Sequence, residues 1–385
     1  MDNHITDLGE YLRYCASKIG QQAEKLLEQL KDPDPKVRAK AAKEFGFAAQ
    51  GGANTAFAVP ALTEALLDVD MDVRRYVACS LRLAAEMGAD MGPVVVPLME
   101  SMRTFSGDGH LFWVNAYRIL GFAAKKGADT SIAVKQLTEA LHFGIHSEII
   151  EALKHAAVNE KSRDVAIDAL VKVLENEIRD IRRHATDALC HAAGKGADIT
   201  AAIPLLVKSL TEANAWSTTS VLSAAAANRK SAAAAMAALV NALEDQDECV
   251  SANAANALAG AAEAEADITV AVPALINALL NTNEETRMKA SVALRYATRS
   301  LADDAKVREF EEKLQEGYLS LGKGRKNGKN ERMLSEARLQ ISKLKIAAAK
   351  KKNELAQDKG ILLTEIPKPP KRGTIYRVME RVRNG

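Results

Sequence analysis

Large apolar residues return along this chain in two linked registers. The first comprises Val37, Val73, Phe112, Ile145, Ile181, Asn214, Val250 and Thr286, separated by 36, 39, 33, 36, 33, 36 and 36 residues. Six of these eight are apolar, and Asn214 and Thr286 break the rule. Eight residues further on, every copy carries a large apolar side chain: Phe45, Leu81, Leu120, Leu153, Leu189, Leu222, Leu258 and Leu294. A period of this length marks a tandem array of supersecondary units, each too small to bury its apolar face alone. The clearest copies are DVRRYVACSLRLAAEMGAD at 72–90 and DIRRHATDALCHAAGKGAD at 180–198. They match in frame from Val73 with Ile181 to Asp90 with Asp198.

Each copy continues into a second segment, read as AVPALTEALL at 58–67, VVVPLMESM at 94–102, AVKQLTEAL at 133–141, AIDALVKVL at 166–174, AIPLLVKSL at 202–210, AMAALVNAL at 235–243 and AVPALINALL at 271–280. Apolar residues three and four apart make one face of an α-helix, so each copy predicts a helical hairpin. QAEKLLEQL at 22–30 resembles a second helix with no full copy before it, as an N-terminal cap would. Asp90, Asp129, Asp198 and Asp267, with Asn54 and Asp303 at corresponding boundaries, are expected to cap the helix that follows. Gly88, Gly127 and Gly196 just before them are expected to end the preceding helix in the left-handed conformation. Pro60, Pro97, Pro204 and Pro273 predict a bend or a restart near the first turn of the second helix.

The paired helices, that proline, and the pattern Val37-Arg38, Val73-Arg74 and Ile181-Arg182 resemble the HEAT-repeat (armadillo-like) family, including bacterial HEAT-like repeats related to phycobilin lyases. The resemblance spans roughly residues 22–320. It departs at Trp113, His146, Ala215 and Ser251, where the arginine is replaced, and at Asn214. It implies an all-α fold, a right-handed α–α superhelix of about eight repeats whose second helices line one surface. It also implies adaptor or scaffold roles, with enzymes a minority.

Composition supports helices: 48% of residues are hydrophobic but only 4% aromatic, so small aliphatic side chains carry the core. Charge is uneven. Residues 322–385 hold 18 Lys+Arg and 6 Asp+Glu, leaving 34 and 44 of the totals of 52 and 50 for residues 1–321. An acidic body thus carries a basic tail, an asymmetry that concerns partners. The expected organisation is a cap at 1–36, the solenoid at 37–321, a basic Gly-rich linker at 322–330, an amphipathic helix at 331–359 and an extended arm at 360–385. In that helix Met333, Ala337, Ile341, Leu344 and Ala348 keep helical spacing, so one face is expected to dock.

No catalytic constellation emerges. GxGxxG, GxxxxGK[ST] and HExxH are absent, and His142 with His146 straddles Gly144 without a recognisable third ligand. No cofactor or metal is therefore expected. The four cysteines, Cys15, Cys79, Cys190 and Cys249, are far apart, which fits a reducing, cytoplasmic setting. No leader and no membrane-like apolar run is apparent. The reading is a non-enzymatic protein-binding scaffold, adaptor or assembly subunit. Its candidate anchors are Trp113, Tyr117, Trp216, Ile361, Leu362, Leu363, Ile366, Tyr376, Val378 and Met379. The rival is a nucleic-acid-associated protein using Lys323, Arg325, Lys326, Lys329, Lys350, Lys351 and Lys352 on phosphates. Cofactor-lyase-like or chaperone activity is a lesser alternative.

Overall fold

The computed structural model describes residues 8–105, 109–141, 146–211, 215–298, 301, 304–321 and 329–358. Among these residues there are eighteen α-helices and no strand. The chain divides into two units, residues 1–189 and 190–385. In the first, α1 (Leu8–Gln29) packs on α2 (Pro35–Gln50), and hairpins follow in chain order: α2 and α3 (Val59–Ala65), α4 (Met71–Glu86) and α5 (Val95–Thr104), α6 (His110–Lys125) and α7 (Ser131–Ala140), and α8 (His146–Val158) and α9 (Arg163–Val173). The second helices α3, α5 and α7 pack against the next first helix, α4, α6 and α8. First helices α2, α4, α6 and α8 pack in series.

The unit boundary falls inside α10 (Arg179–Gly194). The second unit contains the end of that helix, α11 (Ile203–Lys208), α12 (Trp216–Ala227), α13 (Ala232–Leu243), α14 (Glu248–Glu263), α15 (Val272–Ala278), α16 (Glu284–Ala297), α17 (Asp304–Leu321) and α18 (Lys329–Asp358). Here α12, α14 and α16 pack in series, and α11, α13, α15 and α17 form the second-helix layer beside them.

The register read from sequence is the core. Phe45, Leu81, Leu120, Leu153, Leu189, Leu222, Leu258 and Leu294 are all at most 1% exposed. Seventeen residues after the first seven of them come Leu62, Leu98, Leu137, Leu170, Leu206, Leu239 and Leu275, again at most 1% exposed. That interval never changes from hairpin to hairpin. The variable repeat length therefore falls in the links between hairpins. Thr286, a polar exception in the first register, is fully buried with its hydroxyl 3.3 Å from that of Ser251. Ile145 and Asn214 lie outside the described residues.

The hairpin turns follow their glycines. Gly52, Gly88, Gly127 and Gly196 have φ of 93°, 94°, 88° and 80°. The Gly88 amide donates to the Ala85 carbonyl at 2.9 Å and the Ala89 amide to Ala84 at 3.0 Å, satisfying carbonyls that the helix end leaves open. The aspartates act one residue earlier than a direct N-cap. Asp90 accepts from the Gly92 amide, Asp129 from Ser131, Asp198 from Thr200, Asp267 from Thr269 and Asn54 from Ala56, all at 2.9–3.0 Å. Each closes an Asx turn that delivers the chain into the second helix. Asp303 lies outside the described residues.

Proline sets how that helix begins. Turns of 3-10 helix at Ala56–Ala58, Gly92–Val94, Thr200–Ala202 and Thr269–Ala271 lead into α3, α5, α11 and α15, the four helices that carry Pro60, Pro97, Pro204 and Pro273. Proline lacks an amide hydrogen and is tolerated only where that donor would be unpaired, so the α-helix restarts around it. Helices α7, α9 and α13 have no such proline and begin without a 3-10 turn.

Two hairpins lack the left-handed turn altogether and use asparagine instead. The Asn159 Nδ2 donates to the carbonyls of Ala124 at 3.0 Å and Ala128 at 2.5 Å, and the Asn228 Nδ2 to Ala193 at 3.1 Å and Ala197 at 2.5 Å. One copy thus completes the helix end of the copy before it.

Candidate functional site

The repeat arginine is absorbed by structure. The Arg38 Nη1 donates to the carbonyls of Asp32 at 2.7 Å and Pro33 at 3.0 Å, Arg182 to Asn176 and Glu177 at 2.9 and 3.0 Å, and Arg287 to Asn281 and Thr282 at 2.9 and 2.8 Å. The Arg74 Nε donates to the Asp68 carbonyl. Each guanidinium folds back five or six residues onto the link between hairpins, where the second helix has left its carbonyls open. These cations bind backbone, and a partner gains little from them.

The second helices leave a different face open. Five residues before the buried Leu62, Leu98, Leu137 and Leu170 stand Phe57, Pro93, Ile132 and Val165, all exposed to solvent. Phe57 is 46%, Ile132 52% and Val165 48% exposed. The same position in the second unit holds Ala201, Ala234 and Val270, the last 60% exposed. Phe57 also meets the buried Phe45 edge-on, at 6.1 Å between ring centroids. A helix that packs on a first helix needs only one apolar stripe, so at Pro93, Ile132 and Val165 the repeated water-side position is a second one. Sequence reading missed this row because each member merges into the apolar pattern of its own helix.

The aromatic anchors separate. Trp113 is half-buried, in edge contact with Phe105 and Phe112 at 6.2 and 5.6 Å between ring centroids. The Phe105 and Phe112 rings stack at 4.0 Å, and the Phe105 ring lies so close over Gly109 that any side chain there would collide with it. Trp113 therefore belongs mainly to the corner that links the second hairpin to the third. Tyr117 is 3% exposed, and burial pushes its phenol up to about 12. The expectation of a surface anchor at Tyr117 is corrected: it sits on the inward side of α6 and helps line a groove of about 560 Å³ with Arg118, Phe122, Glu148 and His155. Trp216 is the opposite case, 76% exposed at the first residue of α12.

Ile361, Leu362, Leu363, Ile366, Tyr376, Val378 and Met379 lie outside the described residues, as do Lys323, Arg325 and Lys326. Lys329 opens α18, and nothing is described of its side chain. Within the triplet Lys350, Lys351 and Lys352, only Lys350 is exposed, and Lys351 lies 3.8 Å from Glu354. Ala337, Ile341, Leu344 and Ala348 are buried where α18 packs against α17. No group of three potential metal-ligating side chains and no membrane-spanning helix occurs among the described residues.

Hairpins in series and a buried leucine frame define an all-helical repeat solenoid. A solved structure of a substituted form of the karyopherin Kap121p has the same fold, with a TM-score of 0.51 and 14% identity, covering 94% of this chain and 40% of that one. Kap121p bound to Nup53p aligns with a TM-score of 0.49 and 13% identity over the same shares. The chain thus spans well under half the length of these structures. No family model matches it, and no curated protein does.

Proposed function

We propose that this protein is a non-enzymatic scaffold or adaptor that holds a protein partner on its second-helix surface. The exposed row of Phe57, Pro93, Ile132 and Val165 carries the reading, since regularly spaced apolar side chains suit a segment laid across several copies. Trp216 adds an exposed aromatic of the kind that dominates interface energies. The acidic body favours protein over nucleic acid, because phosphates would be repelled along most of its length.

The test compares affinity capture by the full-length protein with capture by an Ile132→Asp, Val165→Asp variant, after nuclease and across a salt series. Both positions face water, so circular dichroism and melting should match in the two proteins. A specific protein retained by the first and lost by the second supports the reading. Equal recovery by both, or recovery abolished by nuclease, removes it.

A further inference from the structure

In the second unit a groove of about 520 Å³ opens between α13 and the turn before α15. Ala233, Met236, Ala237 and Val240 form one side and Asp267 with Val270 the other. The groove exists because α13 is alanine-rich: Ala237 stands where other copies place Pro60, Val96, Pro204 or Pro273. Val270 at its rim is one of the more exposed apolar residues described.

The C-terminal helices lead back to this place. Asp267 pairs at 2.5 Å with Lys306 in the first turn of α17, and α17 packs on α15. Burial raises the Asp267 carboxyl, but the Lys306 and Thr269 hydrogen bonds more than offset it and leave the group ionised. Helix α18 packs along α17, with the Lys345 Nζ donating to the Gln315 Oε1 at 2.9 Å. That pairing, thirty residues apart across the short 322–328 connection, makes the two helices antiparallel. Ala348, Ala349 and Asn353 are buried further along α18, so its end at Asp358 returns to the end of α17 that holds Lys306.

We propose that the groove is the seat of this chain's own C-terminal segment, filled by Leu362, Leu363 and Ile366. Neighbouring helices lie about 8–10 Å apart, so two to three spacings put the groove about 25 Å from the end of α18. Eight extended residues cover about 27 Å, which brings the stretch up to Ile366 onto it. The segment is apolar where it would arrive, ILLTEI at 361–366. The 27 residues after Asp358, taken together, hold seven Lys/Arg against two Glu. Exposed Glu263 and Glu265 precede Asp267, and exposed Glu244 and Asp245 follow α13, so carboxylates flank the groove and match that charge. An arm seated there would have to leave before a partner used Val270. The inference goes beyond the scaffold reading and needs no partner to be tested.

The test places a photoreactive residue at Asn241, an exposed position in the groove, in the full-length protein at high dilution. The expected product is an intrachain cross-link to residues 361–366. A Leu362→Glu, Leu363→Glu variant, which leaves the repeats untouched, should lose about tenfold of that yield, and Ala237→Arg should do the same by filling the groove. Cross-links between two copies, cross-links that avoid residues 359–385, or a yield unchanged in both variants would each overturn the proposal.

Discussion

Arg38 holds the carboxylate of Asp68, on the link to the next hairpin, by two hydrogen bonds, Nε to Oδ2 at 2.6 Å and Nη2 to Oδ1 at 2.8 Å. The two side chains are only 13% and 8% exposed. Burial alone would raise the Asp68 carboxyl, but the hydrogen bond from Arg38 and that from the Asp70 amide win, and the group sits below its ordinary 3.8. A depressed carboxyl stabilises the fold above its unfolded value and loses that contribution as pH falls through the folded one. Removing Arg38 at neutral pH leaves a buried carboxylate without its partner, at a cost of about 3 kcal/mol. The difference in urea midpoint between the native protein and Arg38→Ala should therefore be largest at pH 7 and shrink below about pH 4. A difference that stays constant down to pH 3 would show that the pair contributes packing and not charge.

Glu265 occupies with φ of 61° the turn position that glycine fills at Gly52, Gly88, Gly127 and Gly196. Its amide donates to Ala262 and the next amide to Ala261, so the seventh hairpin makes the same turn with an unsuitable residue. The left-handed conformation costs a side chain roughly 1–2 kcal/mol, partly returned by the greater unfolded freedom of glycine. Glu265→Gly should stabilise by about 0.5–1 kcal/mol and Gly88→Ala should destabilise by about 1 kcal/mol. No atom lies within 4 Å of a Cβ built on Gly88, so crowding cannot be the cause there. Thermal melts of the two variants moving in the same direction would contradict the assignment.

Ile178 stands where four of the other first helices have a capping side chain. Asp34, Asp70, Asp247 and Asn283 accept amides at the starts of α2, α4, α14 and α16. Ile178 precedes α10 with no acceptor and is 51% exposed, so replacing it sacrifices little packing. Ile178→Asp should add about 1 kcal/mol. Amide hydrogen exchange in the first turn of α10 is the direct measure, and exchange that fails to slow would refute the cap.

The hairpins and their core were readable because a helix repeats its apolar face at a fixed spacing, and Phe45 through Leu294 keep that spacing in every copy. The proline restarts were readable for an equally local reason, the missing amide hydrogen. What sequence did not reveal depends on groups far apart. Asn159 and Asn228 look like loop residues, yet each reaches carbonyls 31 and 35 positions earlier. Tyr117 and Trp216 look alike as candidate anchors, and only helix orientation separates a buried phenol from an exposed indole. The groove beside α13 is defined by volume that alanine does not fill, which no motif announces.

Asn228 gives the sharpest test of the asparagine-built turns. Its amide group faces two carbonyl oxygens, and its own oxygen accepts the Lys230 amide at 3.0 Å. It is 7% exposed. Asn228→Ala removes two donors from carbonyls that water cannot readily reach, at a cost of about 2–3 kcal/mol. Asn228→Asp keeps the shape but turns an ionised oxygen toward those carbonyls, so at pH 7 it should be less stable than the alanine variant. Protonation restores one donor, which means that the introduced carboxyl has its folded pKa raised and its penalty relieved as pH falls. Measured against Asn228→Ala, which shares every other acid-sensitive group, the aspartate variant should gain ground between pH 7 and pH 5. If the two variants keep a fixed difference over that range, the side chain at 228 does not serve as the donor bridging Ala193 and Ala197.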